Sequence, residues 1–250
     1  MNDFKIESEL LTAIKAARSA GLFLQENKKD INKVLSSTEK DIKLKADVDA
    51  ENLIKEVLCN ESEIATLAEE SGLSVKTLPE VFWVIDPLDG TANYSRNIPI
   101  SCVSIALVSK MKPILGVIYD FNNDSLFHGS VNTQAVCNEQ VIKVSNISNP
   151  AEGILITGLP NDTDYSGKAM KNMINNFQSW RKVRMIGSAA MASAYIASGK
   201  ADAYSETKTY LWDVAAGAAL VNAAGGKAVI KNQNDKFQVD VLFTNSSLST

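Results

Sequence analysis

A chain of 250 residues, 45% apolar and 22% charged, can bury one large core or two small ones, and is not disordered, collagen-like or coiled-coil. No run reaches the roughly 18–20 apolar residues of a membrane helix, and the opening MNDFKIESELL lacks a basic-then-apolar signal layout, so a cytoplasmic protein with no membrane partner is expected. A net charge of −4 and a pI of 5.2 argue against a dedicated nucleic-acid binder, and no nucleic-acid partner is expected.

The spacing of Ile6, Leu10, Ile14, Ala17 and Leu24 predicts an amphipathic helix over the first 25 residues. The lysine-rich stretch Lys28–Lys45, which also holds Asp30, Glu39 and Asp41, reads as a solvated loop. A second helix is expected from Asp47 to Cys59, with Leu53, Ile54, Val57 and Leu58 inward. The texture then changes to β-branched and aromatic runs at 81–86, 101–108 and 112–120, which read as strands. SLFHG (125–129) and QVIKVS (140–145) extend the series, and their closeness favours an antiparallel sheet. Asn149-Pro150 and GLPNDTDYSG (158–167) read as turns or a boundary. Residues 1–147 are thus expected to form an N-terminal α+β part and 148–250 a C-terminal α/β part of one compact unit. In the second part, helices at 166–177, from Ser188 to Gly199 and from Asp213 to Ala224 alternate with strands at 152–157, 201–204, 227–230 and 240–244. The pattern is α+β or layered α/β.

Elimination narrows the chemistry. The single histidine, His128, lies in a strand-like stretch, which excludes any two-histidine zinc site and leaves a serine triad without its GxSxG elbow. Cys59, Cys102 and Cys137 are widely spaced, show no CxxC or Cx5R pattern, and read as reduced thiols. No GxxxxGK[ST] phosphate loop is present. Carboxylate chemistry remains.

The densest feature is WVIDPLDGT (83–91). An apolar strand delivers Asp86, Pro87 interrupts the ladder, and Asp89 follows on a tight turn. Two carboxylates so spaced suit Mg²⁺ or Mn²⁺, and the backbone N–H groups of Gly90 and Thr91 suit a phosphate. The same residues are ordinary in a β-turn. Glu69-Glu70 end a short apolar run. Asp213 opens a helix after Trp212, and Asp47 opens the second helix; each has the plain alternative of an N-cap. Glu206, seven residues before Asp213, has the alternative of a solvated loop acid.

Taken in order, Glu69-Glu70, DPLDGT (86–91) and Trp212-Asp213 with Ala216-Gly217 resemble the inositol monophosphatase family of Mg²⁺-dependent, lithium-sensitive phosphatases. Asn93-Tyr94, Arg96, Pro99, Val103-Ser104-Ile105, Gly116-Val117-Ile118-Tyr119-Asp120, Arg184, Gly187-Ser188-Ala189-Ala190, Gly199, Asp202-Ala203-Tyr204 and Glu206 extend the resemblance over nearly the whole chain. It implies an αβαβα sandwich, a homodimer, and two or three Mg²⁺ ions, with Mn²⁺ as a substitute. By resemblance Glu69, Asp86, the Leu88 carbonyl, Asp89 and Asp213 hold the metal. Asp47 and Thr91, with Glu69, place the attacking water, while Asp89, Gly90, Thr91, Ser188, Ala189 and Glu206 bind substrate. Two departures stand out: Lys43 and Leu44 replace the family's Val-Thr, and Gln134-Ala135-Val136-Cys137-Asn138-Glu139 replaces its Gly-Ala-x-x-Asn-Gly hairpin. The resemblance implies hydrolysis of a phosphate monoester by a metal-activated water. Glu206 favours inositol monophosphate or a similar polyol phosphate over nucleoside bisphosphates, fructose 1,6-bisphosphate and histidinol phosphate. A non-catalytic, partner-binding regulator on the same fold is the alternative of another class.

Overall fold

The structure is a computed structural model and describes residues 5–37, 42–159 and 165–248. The N-terminal apolar stripe forms α1 (Ile6–Glu26), whose buried face is built from Leu10, Ala13, Ala16, Ala17, Ala20 and Leu24. Four alanines on one face let the helix axis approach its neighbours closely. The lysine-rich stretch is not wholly a loop: it contains α2 (Lys28–Ile31) and an antiparallel hairpin of β1 (Val34–Ser37) and β2 (Ile42–Leu44). Residues 38–41, with Glu39 and Asp41, lie outside the described residues. The second helix, α3 (Lys45–Glu61), starts two residues earlier than expected. Asp47 is therefore not its N-cap but its third residue, and accepts the Leu44 N–H at 2.7 Å.

The middle of the chain adds β3 (Thr66–Ala68), β4 (Gly72–Leu73), β5 (Val81–Asp89), the short α4 (Thr91–Ser95), β6 (Cys102–Ser109), β7 (Lys112–Asp120), β8 (Ser125–Ser130), β9 (Thr133–Cys137) and β10 (Gln140–Val141). They form one eight-stranded sheet in the order β10-β9-β8-β7-β6-β5-β3-β4, antiparallel throughout except for β3 beside β5. Of QVIKVS, only Gln140 and Val141 are in a strand. Asn138 and Glu139 turn the β9–β10 hairpin with φ of 46° and 68°, a left-handed pair in which Glu139 stands where the resembled family has glycine. The Pro87 interruption does not end β5. The pairing with β6 slips between Asp86–Ser104 and Asp89–Cys102, a bulge that absorbs Pro87 and Leu88.

Asn149-Pro150 opens a single 3-10 turn, Pro150–Glu152. Of the expected turn 158–167, residues 160–164 lie outside the described residues. After the 3-10 turn come β11 (Ile154–Thr157), α5 (Gly167–Gln178), β12 (Lys182–Arg184), α6 (Ala189–Ala197), β13 (Ala203–Tyr210), α7 (Leu211–Ala223), β14 (Lys227–Lys231) and β15 (Gln238–Thr244). The five strands are ordered β12-β11-β13-β15-β14. β13 runs on to Tyr210, so Glu206 sits on a strand and not in a loop. Asp213 is the third residue of α7, not its cap, and accepts the Tyr210 N–H at 2.9 Å.

Five layers result. α1 and α3 cover one face of the large sheet, α6 and α7 fill the space between the two sheets, and Phe177 of α5 packs on Leu155 and Ala203 beyond the small sheet. The expected αβαβα sandwich is the observed architecture. α6 and α7 are apolar around most of their surface, as a helix between two sheets must be. Their contact is so close that a Cβ at Gly217 would stand 2.1 Å from Ser193 Cβ. Gly217→Ala is expected to destabilise the fold by about 1–3 kcal/mol, measured by urea unfolding. Among the described residues no helix is long and apolar enough to cross a membrane.

Candidate active site

The β5 bulge aims three groups. Asp86 ends the regular ladder and accepts the Leu88 N–H at 3.0 Å. Asp89 comes after the bulge, and Gly90, at φ 87°, turns the chain into α4; a Cβ there would lie 2.7 Å from the Ile100 carbonyl oxygen. Thr91 follows, and its hydroxyl lies 2.9 Å from Asp47 Oδ1 and 3.0 Å from the Leu88 oxygen. The second oxygen of Asp47 takes the Leu44 N–H. The first turn of α3 is thereby fixed against the bulge.

Asp89 is gripped from the far side of the seam. Ser188 donates its hydroxyl to Asp89 Oδ2, and the Ala190 N–H donates to the same oxygen at 2.8 Å. The Ala189 N–H reaches Oδ1 at 3.3 Å. Ser188 also caps α6, accepting the Met191 N–H at 3.2 Å. Asn93 ties the same seam, donating to the Ile186 carbonyl at 2.8 Å. Asp213 enters from α7, holding the Thr209 hydroxyl at 2.7 Å as well as the Tyr210 N–H. Glu69 follows β3, and its N–H reaches the Ile85 carbonyl at 3.1 Å, which sets it beside Asp86.

Electrostatics tie these acids together. Glu69 and Asp86 are held well above the usual carboxylate range, first by burial and then by their acidic neighbours. Asp86 and Asp89 are buried and Asp213 is half-buried, whereas Glu69 is exposed at the rim of the ring. Burial and the charge of Asp89 push Asp213 to about 7, and burial pushes Asp47 to about 6. Burial raises Asp89 as well, against the donors from Ser188 and the start of α6. Among the described residues no lysine or arginine forms an ion pair with Glu69, Asp86, Asp89 or Asp213. As placed, no three such side chains close into a tight ligand cluster among the described residues. A loose ring of mutually repelling acids with no protein cation fits hard divalent ions, whose charge would draw the oxygens in.

Beside this ring is a cavity of about 250 Å³, lined by Asp89, Ser188, Ala189, Glu206, Thr209 and Asp213 among others. Glu206 is half-buried, accepts the Tyr204 hydroxyl at 2.9 Å, and is raised chiefly by burial. Each residue expected at the site is thus brought to one region. Sequence reasoning missed two of its groups. Thr209, the hydroxyl on Asp213, carries no motif, and Cys102 places Sγ 3.8 Å from Asp89 Oδ2 only through the strand register.

Residues 6–247 match the inositol monophosphatase family. The chain is 40% identical over 217 residues to a Nus factor SuhB of Xylella fastidiosa, covering 85% of this chain and 78% of that one. It is 35% identical over 194 residues to an inositol-1-monophosphatase of Synechocystis, covering 74% and 66%. The solved inositol monophosphatase of Anabaena (Nostoc) matches with a TM-score of 0.82 at 33% identity, over 96% and 92% of the two chains. The extragenic suppressor protein suhB of Bartonella henselae matches at 0.84 and 30%, over 94% and 93%. This chain belongs to the inositol monophosphatase family and is a metal-dependent hydrolase of phosphate monoesters.

Proposed function

We propose that the enzyme is a Mg²⁺-dependent, lithium-sensitive phosphatase of polyol monophosphates, inositol monophosphate first among them. The observation that carries this reading is the ring of Glu69, Asp86, Asp89 and Asp213, without an ion pair among the described residues, next to a cavity walled by Glu206. In it, Glu69, Asp86, the Leu88 carbonyl, Asp89 and Asp213 hold two or three Mg²⁺ ions, with Mn²⁺ as substitute. When bound, the ions neutralise charge on the reacting phosphate and acidify a water.

The protein's own groups supply position. The Thr91 hydroxyl, 2.9 Å from Asp47 Oδ1, would donate its hydrogen to Asp47 and accept a hydrogen bond from the attacking water, so that the water's proton could pass through it to the carboxylate. Asp47, raised to about 6, can take up a proton near neutral pH, so the pair orients and deprotonates the attacking water. The N–H groups of Gly90 and Thr91 would receive the phosphate, Ser188 and Ala189 would shape the substrate side of Asp89 in the cavity, and Glu206 would receive hydroxyls of the polyol. No covalent phosphoenzyme is needed. The test is phosphate release from inositol 1-phosphate with Mg²⁺, with added Li⁺, and in excess EDTA. Activity should need Mg²⁺, fall with Li⁺ and vanish in chelator; full turnover in EDTA ends the proposal.

Glu206 sets the substrate class. A hydrogen bond to a charged group contributes about 1.5–3 kcal/mol, so Glu206→Ala should lower kcat/KM for a polyol phosphate by roughly 10- to 150-fold. Turnover of p-nitrophenyl phosphate should barely change. Equal losses on both esters would assign Glu206 to the fold instead.

A homodimer in the cytoplasm, suited to three free cysteines, accompanies this reading. A second reading, a partner-binding regulator, draws on the name Nus factor carried by the Xylella relative. The expectation of no nucleic-acid partner does not sit with that name and is not carried further. A regulatory role would survive Asp213→Asn in a partner-binding assay, whereas hydrolysis would not.

A further inference from the structure

The β1–β2 hairpin is short, and the four side chains of β1 are exposed, so its own pairing gives it little hold. Two side-chain contacts at its second strand tie it to the active site. Leu44 donates its N–H to Asp47, and the adjacent Lys43 forms an ion pair with Glu70. The ammonium also faces Glu51 and Asp47, and these acids together raise its pKa, the Glu70 contact most of all. The Glu70 backbone N–H reaches Glu51 Oε2 at 2.8 Å, and among the described residues Lys43 is the one cation paired with its carboxylate. The side chain of Glu70 is 11% exposed, so little water shields it.

The acids around the site therefore fall into two groups. Glu69, Asp86, Asp89 and Asp213 have no ion pair among the described residues, while Glu70, next to Glu69 in the chain, has Lys43. We propose that Lys43 is a built-in counter-ion that fixes the metal count of the site: by holding Glu70 it keeps that carboxylate from binding a divalent ion. The same contact sets β2, and with it the first turn of α3, against the acid ring. Lys43 stands where the resembled family usually has valine. The inference rests on the metal site proposed above.

The test uses the full chain, stripped of metal and titrated with Mn²⁺ while free Mn²⁺ is followed by electron paramagnetic resonance. Lys43→Met is expected to bind one more Mn²⁺ per chain than the parent, because the half-buried Glu70 carboxylate left without its ammonium is an uncompensated charge that a divalent ion would neutralise. Lys43→Arg should keep the parent count. In the double variant Lys43→Met/Glu70→Gln the extra ion should be lost or weakened at least tenfold. If Lys43→Met binds the same number of ions as the parent, with affinities within twofold, Lys43 does not set the count and the inference is overturned. If Lys43→Met gains an ion that survives Glu70→Gln, the ion is held elsewhere and the inference is likewise overturned. A parent chain that binds no Mn²⁺ at all would instead overturn the metal site itself, and this inference with it. Circular dichroism on each variant separates these outcomes from unfolding.

Discussion

Asp213→Asn is expected to lower kcat by at least about 10²-fold at saturating Mg²⁺ and substrate, since one preorganised charge-stabilising group is typically worth that much. The same substitution should raise the melting temperature of the metal-free protein. Asparagine keeps a carbonyl oxygen for the Thr209 hydroxyl and the Tyr210 N–H, so the first turn of α7 stays satisfied. What it removes is a buried carboxyl whose charged form is opposed by burial and by Asp89. Activity and stability thus move in opposite directions, which a structural role does not produce. An aspartate serving only the helix end would cost about 1 kcal/mol of stability on substitution and leave turnover per folded molecule unchanged. Calorimetry and kcat on one preparation decide between them.

The second large effect is on pH. Asp213 titrates near 7 and Asp47 near 6 in the folded chain, both far above an unfolded aspartate. Between pH 4 and 7 the folded metal-free protein therefore binds more protons than the unfolded chain. Its stability is full below about pH 4 as far as these groups are concerned, and declines as pH rises through their folded values. For Asp213 alone the raised pKa corresponds to about 4 kcal/mol. The melting temperature without metal should drop by on the order of 5–10 °C between pH 5 and 8. Saturating Mg²⁺ should erase most of that drop, and the Mg²⁺ concentration for half-maximal activity should fall over the same interval, because bound protons must leave before the ion enters. A metal-free protein that grows more stable from pH 5 to 8 would contradict this account.

The carboxylates were legible in the sequence because local chemistry confines them. Pro87 and Gly90 mark a backbone that leaves the regular ladder, and paired acids beside an apolar run have few inexpensive places to go. The order of strands and helices was legible for a similar reason, since β-branched runs and alanine-rich helices have different periods. Other features were set by partners distant in the chain. β3 and β4 are short and carry little pattern of their own, and they exist because β5 offers β3 an edge. Asp47 and Asp213 looked like caps because aspartate at a helix start usually is one. Both instead are the third residue of their helix, where Asp47 holds the Leu44 N–H and the Thr91 hydroxyl, and Asp213 takes both of its donors on one oxygen. The β1–β2 hairpin hid in a lysine-rich stretch because its anchors, Glu70 and Asp47, lie outside it.

The grip of Ser188, Ala189 and Ala190 on Asp89 joins groups 99 to 101 positions apart in the chain. Neither sheet with its own helices contains a whole catalytic centre. The first 150 residues carry the bulge and three acids of the ring, but neither Asp213 nor the donors of Ser188, Ala189 and Ala190 that orient Asp89. A chain that ends there is therefore expected to be silent toward phosphate esters. Catalytic activity in this protein is an assay of complete assembly.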